Sequence, residues 1–296
     1  MVTASPDPVA AALCEIERFG AGRITGKLHV PERPGKLVDL PRDLDPALAA
    51  ALGSRGVHQL YSHQREAWDT VSAGKDVVIV TPTASGKSLC YNLPVIDAVR
   101  NRGAKALYLF PTKALSQDQV AELLELNKAA DLGVRVFTYD GDTPGDARKA
   151  IRSHGDIVVS NPDMVHQGIL PHHTRWARFF EALRYIVIDE AHIYRGCFGA
   201  HVANVIRRLL RIASFYGSNP QFVLCSATIG NPGEHAQTLT GREVVALTES
   251  GAPQGPRDVL LWNPPVVNPE LGMRASARSQ TAALAKASVG KGARTI

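Results

Sequence analysis

The sequence predicts an α/β fold, a mostly parallel sheet with helices on both faces. Two observations predict it. Apolar runs of four to six residues recur through the middle of the chain, and longer segments of helical period separate them. Strands buried on both faces read as continuous apolar runs, and parallel neighbours need a crossover between them, usually a helix. Right-handed crossovers would then align the strand C-termini along one edge, where ligands bind in open α/β sheets.

In chain order, residues 1–57 read as an N-terminal extension. Pro and Gly punctuate "VPERPGKLVDLPRDLDP", and a short helix, "DPALAAALGSRG", follows. The main domain is expected over 58–250. Its candidate strands are "DVVIV" (76–80), "ALYLF" (106–110), "VRVFTY" (134–139), "DIVVS" (156–160), "YIVID" (185–189) and "FVLCS" (222–226). The helices between them include "KALSQDQVAELLELNKAA" and "HVANVIRRLLRIAS". At "ESGAPQGPRD" (249–258) the composition shifts to that of a linker. A run "VLLWNPPVV", a helix in "SARSQTAALAKASVG" and the opening of another strand in "GARTI" complete a third segment, 251–296.

Composition narrows the class. Of 296 residues, 45% are hydrophobic and 21% charged, as in ordinary soluble proteins. No apolar run approaches a membrane span, and the N-terminus lacks a basic start before an apolar core. Cys14, Cys90, Cys197 and Cys225 are far apart and form no C-x-x-C pair, which argues against a zinc site and a disulfide framework. A cytoplasmic protein with reduced thiols and no membrane partner is expected. The net charge is +5, but residues 257–296 carry +4 of it. Any nucleic-acid surface on the main body must therefore be a local patch.

Three stretches carry chemistry. "TPTASGKS" (81–88) follows an apolar strand and nearly matches G-x-x-x-x-G-K-[ST], with Thr81 in place of the first glycine. Backbone N–H groups from Thr83, Ala84, Ser85, Gly86 and Lys87 would converge on phosphate oxygens at a helix N-terminus. Gly86 would allow close approach, Lys87 would supply a point charge, and Ser88 a hydroxyl for Mg²⁺. "YIVIDEAH" ends in Asp189 and Glu190, 102 residues after Lys87. One carboxylate would hold Mg²⁺ while the other orients and deprotonates water. "CSATI" places Ser226 and Thr228 at another strand end, within expected reach of those carboxylates.

Together these stretches resemble superfamily 2 helicases of the DEAD/DEAH-box kind, over residues 58–296. "TPTASGKS" resembles motif I, "DEAH" motif II and "SAT" motif III, while "PTKALSQDQ" looks like motif Ia and "SNPDMVH" the Ib-type loop. "YSHQREAW" puts Gln64 where a Q-type motif reads adenine. Thr at the first motif I position is usual in that superfamily. The resemblance implies a RecA-like domain over 58–250, with the motif III strand between the two nucleotide-binding strands. It implies ATP and Mg²⁺ as cofactors and an ATP-dependent helicase activity. Lys87 would bind the phosphates, Ser88 and Asp189 the metal, and Glu190 would be the base. Ser226 and Thr228 would link nucleotide state to domain movement, with His192 bonding toward them.

"DEAHIYRGCFGAHVANVIRRLLRI" and "LLWNPP" are similar to one subfamily of RecQ-related DNA-repair helicases with a C-terminal four-cysteine domain, which does not occur in these 296 residues. Motifs IV to VI, which belong to a second RecA-like domain, do not occur in them either. Segment 251–296 reads as a linker and the start of that domain. The fragment alone would bind nucleotide and hydrolyse it poorly. Single-stranded DNA, or DNA with a single-stranded tail, would lie across Pro111, Thr112, Lys113, Gly141, Ser160, Asn161, Pro162 and Asp163. The family often has paired glycines where this sequence has Gly141–Asp142, and the carboxylate argues against a phosphate contact at 142. Arg207, Arg208 and Arg211 read as a solvated helix face and His172 and His173 as surface loop residues. The rival is a non-hydrolysing nucleotide-dependent module that binds nucleic acid or protein. A small-molecule P-loop kinase would explain neither "SAT" nor "PTKALSQDQ".

Overall fold

The computed structural model describes residues 7–129 and 131–293. The chain divides into two units, one of Pro34–Pro253 and one joining Met1–Arg33 to Gln254–Ile296.

The larger unit is built on a seven-stranded sheet: β1 (Val77–Val80), β2 (Lys105–Leu109), β3 (Val136–Thr138), β4 (Ile157–Ser160), β5 (Leu183–Ile188), β6 (Gln221–Ser226) and β7 (Val245–Leu247). Every pairing is parallel, in the order β7-β1-β6-β5-β2-β4-β3. All six expected strands are present, and β6, the "SAT" strand, lies between β1 and β5 as the resemblance implied. The seventh, β7, is three residues long with two of them exposed, so it offered no buried apolar run.

Alternate residues of each central strand enter different cores. Val77, Ile79, Ala106, Tyr108, Val187 and Val223 face one; Val78, Val80, Leu107, Leu109, Ile186 and Leu224 face the other. On the first face pack α1 (Ser62–Ser72), α2 (Lys87–Arg102) and α3 (Lys113–Ala129), through Trp68, Tyr91 and Leu123. After α4 (Gly145–His154), the second face takes α5 (Gly196–Phe215) and α6 (Pro232–Thr240), through Val202, Ile206 and Leu239. α2 is buried continuously from Cys90 to Val99, so its sequence shows no single apolar stripe. α5 begins five residues before the periodic stretch that revealed it, and its sequence there is Gly- and Cys-rich. Among the described residues no helix is long and apolar enough to cross a membrane.

The unit boundaries differ from the expected cuts at 57/58 and 250/251. Leu37–Asp39 pairs antiparallel with Gln59–Tyr61, and the short helix Pro46–Ser54 buries Leu48, Ala51 and Leu52 in the main core. Arg100 of α2 donates to Asp45 Oδ2 at 3.1 Å, fixing the capping residue of that helix. Residues 34–57 are thus built into the sheet unit. At the other end Gly251 is held by Lys36 N–H on its carbonyl at 2.8 Å and donates to His63 Nδ1 at 3.2 Å.

In the smaller unit, strands Ile24–Val30 and Arg257–Trp262 pair antiparallel. Phe19, at the end of helix Pro8–Phe19, stacks on Trp262 with ring centroids 6.0 Å apart. A short hairpin, Val266–Asn268 with Met273–Arg274, precedes helix Ala277–Val289. Most of "GARTI" lies outside the described residues.

Candidate functional site

β1 ends at Val80 and the chain turns through Thr81–Gly86 into α2. Thr81 is fully buried, and its hydroxyl meets that of Ser85 at 2.6 Å. That bond closes the base of the loop, which a glycine in this position would leave open. The left-handed backbone falls instead at Ala84 (φ 61°) and Gly86 (φ 76°). Gly86 needs to be glycine twice over: its φ disfavours a side chain, and a Cβ would stand 2.6 Å from Gln64 Nε2. Ala84 adopts the same region with a side chain, local strain of the kind found where a loop is shaped for a ligand. Lys87 Nζ reaches back to donate to Thr81 O at 2.9 Å and Pro82 O at 3.1 Å. Two neutral carbonyls thus hold the ammonium within the loop, and phosphate oxygens are stronger acceptors for it.

Gln64, 3% exposed, is a strut of this loop. Its Oε1 accepts Tyr61 N–H at 2.9 Å and its Nε2 donates to Gly86 O at 2.9 Å, leaving one N–H for a ligand. His63 beside it is fully buried, which lowers its pKa.

β5 delivers Asp189 and Glu190 on the far side of β6. Asp189 Oδ1 accepts Glu190 N–H at 2.8 Å, and Glu190 has φ 49°, so the two carboxylates leave the strand end in different directions. Burial pushes the Asp189 carboxyl up to about 6; the adjacent Glu190 charge adds to this, while the Glu190 N–H, the Tyr91 hydroxyl and Lys87 oppose it. Asp189 makes no ion pair among the described residues. A half-buried carboxylate without an ion-pair partner, with the Ser88 hydroxyl as a second oxygen donor, suits a hard divalent cation such as Mg²⁺.

The third stretch behaves differently from expectation. Ser226 is fully buried and donates to Ala227 O at 2.9 Å; Thr228 is exposed and makes no side-chain hydrogen bond among the described residues. Neither hydroxyl meets the acidic pair. The link runs through the backbone instead: Ala227 N–H donates to His192 Nδ1 at 3.3 Å, and that nitrogen also lies 3.2 Å from Glu190 Oε2. A nitrogen accepting the amide has no proton for the carboxylate, so the two contacts are alternatives.

Three residues that sequence reasoning did not single out, Glu122, Tyr91 and Gln119, complete the cluster. Ser88 Oγ donates to Glu122 Oε1 at 3.1 Å. Tyr91 hydroxyl lies 2.7 Å from Gln119 Oε1 and 3.2 Å from Asp189 Oδ2. Gln119 and Glu122 share one face of α3, but nothing in their spacing announces a partner 34 residues away on α2.

The rim expected to meet nucleic acid lies at the ends of β2 and β4. Thr112 and Lys113 are exposed where α3 opens. Lys113 is already bonded to Asp142, with Asp140 at 3.9 Å. Gly141 is exposed, and its carbonyl accepts from Arg148 at 3.2 Å. Ser160 is turned inward, buried and bonded to Tyr139 O at 2.7 Å, so its hydroxyl is not offered. Asn161 caps the following turn by accepting Met164 N–H at 2.8 Å, Pro162 is buried and Pro111 half-buried. Asp163 is exposed. His173 is half-buried against Tyr216, its Nδ1 2.8 Å from the hydroxyl, and not a free loop residue.

Comparison with known proteins identifies the family and the fold. Residues 61–235 match the family model described as DEAD/DEAH box helicase. An uncharacterized ATP-dependent helicase of Bacillus subtilis, YprA, is 50% identical over 87% of this chain and 35% of its own length. The ATP-dependent helicase HRQ1 of Saccharomyces cerevisiae is 40% identical over 84% of this chain and 23% of its own. The chain thus spans about a third or less of these relatives. Among solved structures, the DUF1998 helicase MrfA bound to DNA and AMPPNP superposes with a TM-score of 0.89 at 46% identity, covering 94% of this chain and 39% of that one. The larger unit has the RecA-like fold of helicase domains, and the chain belongs to the DEAD/DEAH box helicase family.

Proposed function

We propose that residues 1–296 contain the ATP-binding half of the motor of an ATP-dependent DNA helicase or translocase that acts in DNA repair. One observation carries the reading. The phosphate loop on β1 and the acidic pair on β5 flank β6 along a single sheet edge, and His192 Nδ1 stands within reach of either Glu190 or the Ala227 amide after β6.

The chain's own groups supply the steps. Lys87 exchanges its two carbonyl partners for phosphate oxygens of ATP, and the N–H groups of 83–88 surround them. Gln64 keeps the loop closed while its remaining N–H meets the adenine edge. Ser88 and Asp189 would hold Mg²⁺, which when bound neutralises charge on the phosphates. Glu190 takes the proton from the attacking water. When Glu190 turns to water, His192 Nδ1 keeps the Ala227 amide, so the bridge to 226–228 depends on the state of the site. In this reading the arginines that stabilise the transition state belong to a second RecA-like domain, and segment 251–296 is the linker and start of that domain. Single-stranded DNA, or the tail of a duplex, lies across Thr112, Lys113 and Gly141, and Lys113 leaves Asp142 for a phosphate. The solved relative bound to DNA supports DNA as the track.

The test is ATP turnover and strand separation by a chain extended through the second domain. Stimulation of turnover by single-stranded DNA is expected. Tight Mg-ATP binding without turnover, with or without DNA, would establish the non-hydrolysing module instead.

A further inference from the structure

The Ser88 hydroxyl has one proton to give, and it goes to Glu122 Oε1 at 3.1 Å. Glu122 is half-buried and has no ion-pair partner among the described residues. One turn earlier on α3, Gln119 accepts from Tyr91 hydroxyl at 2.7 Å, and the same hydroxyl lies 3.2 Å from Asp189 Oδ2. That hydroxyl has one proton, so donating to Gln119 and donating to Asp189 are alternatives, the contact to Gln119 being the shorter. One face of α3 therefore reaches both oxygen donors of the candidate cation site, Ser88 directly and Asp189 through Tyr91.

A serine that binds a cation does so through an oxygen lone pair and keeps its proton. An acceptor for that proton decides where the lone pair points, and a carboxylate also makes the hydroxyl oxygen a better donor to the metal. We propose that Glu122 is a positioning residue of the Mg²⁺ site, orienting the Ser88 hydroxyl, and that Tyr91 orients the Asp189 carboxylate when its one proton turns there from Gln119. The proposal rests on the nucleotide reading above.

The test is calorimetric titration of this chain with AMPPNP, once with Mg²⁺ and once with EDTA. The readout is the factor by which Mg²⁺ tightens binding. Glu122→Ala should shrink that factor by about 10- to 100-fold, the usual loss when an outer-shell partner is removed. Metal-free affinity should stay within about twofold, which a merely structural role would not arrange. Glu122→Gln, which keeps an acceptor, should recover part of the loss. Tyr91→Phe should shrink the factor less than Glu122→Ala, and Glu125→Ala, an exposed acid on the same helix, should leave it unchanged. An undiminished Mg²⁺ factor in the Glu122 variants and Tyr91→Phe overturns the proposal, as does an equal loss with and without metal. If Glu122→Ala does not fold, Glu122→Gln and Tyr91→Phe decide alone. If the unaltered chain binds no AMPPNP under either condition, it is the nucleotide reading that fails.

Discussion

The nucleotide edge and the nucleic-acid rim are both strand C-termini of one parallel sheet, yet they are built differently. At the nucleotide edge internal bonds shape the backbone and leave the reactive groups near the loop mouth: Thr81 ties Ser85, Gln64 ties Gly86, and Lys87 rests on neutral carbonyls. At the rim the side chains themselves are spent. Ser160 bonds inward, Asn161 caps a turn, and Lys113 is held by Asp142. The difference teaches where affinity would come from. In the proposed function a phosphate at the loop would meet a preformed cradle, whereas a strand at the rim would have to displace existing bonds and rely on exposed backbone and one basic residue.

The sharpest way to break that comparison is to ask whether the cradle suffices for catalysis. Phosphate release by residues 1–296 should fall about 10³- to 10⁵-fold below that of a chain extended through the second domain, the usual worth of a transition-state arginine. Added single strands should not stimulate what remains. Brisk, DNA-stimulated release by residues 1–296 would place the missing charge within them.

Next in size is Glu190→Gln in the extended chain. Turnover should drop about 10²- to 10⁴-fold, with Mg-ATP affinity kept, because the amide retains shape and loses the base. Steady-state turnover within a few-fold of the unaltered protein would remove Glu190 from that role.

Asp189 tests the burial half of the account. Its carboxyl, at about 6 in the fold against an ordinary 3.8, binds more protons folded than unfolded across that interval. The resulting penalty is absent below about pH 4, grows as pH rises and is complete above about 6. Asp189→Asn should therefore stabilise the ligand-free chain at pH 7 by on the order of 3 kcal/mol and flatten its stability between those pH values. Urea melts at pH 4 and 7 read both effects; equal destabilisation at the two would contradict the burial argument.

The smallest effect sharpens the rim. Asp142→Asn loosens the hold on Lys113 and should tighten single-stranded DNA binding a few-fold at low salt, with affinity falling as salt rises because Lys113 displaces a counterion from the phosphates. Binding that is unchanged by the substitution, or insensitive to salt, would move the contact elsewhere.

The same contrast explains what the sequence disclosed. Buried strands and the loop at 81–88 are legible because their residue types follow from local geometry: continuous apolar runs for β1, β2 and β4–β6, and a glycine where φ is 76°. Thr81 is legible as a superfamily trait, but its bond to Ser85 is not. Glu122 and Gln119 stayed hidden because their partners, Ser88 and Tyr91, lie on α2, and only the packed fold brings α3 beside it. Motif position alone marks Ser160 and Asn161 as contacts, while burial of one and capping by the other depend on neighbours at Tyr139 and Met164. Residues 34–57 read as an extension because Pro and Gly broke their pattern, yet pairing of Leu37–Asp39 builds them into the main unit.

The central claim, that the loop at 81–88 is a phosphate cradle whose charge is Lys87, has one direct test. Mg-ATP is titrated calorimetrically into the unaltered chain and into Lys87→Ala. The account predicts binding by the first and a loss of about 2–3 kcal/mol, tens- to more than a hundredfold in affinity, in the second. Equal affinities would contradict it.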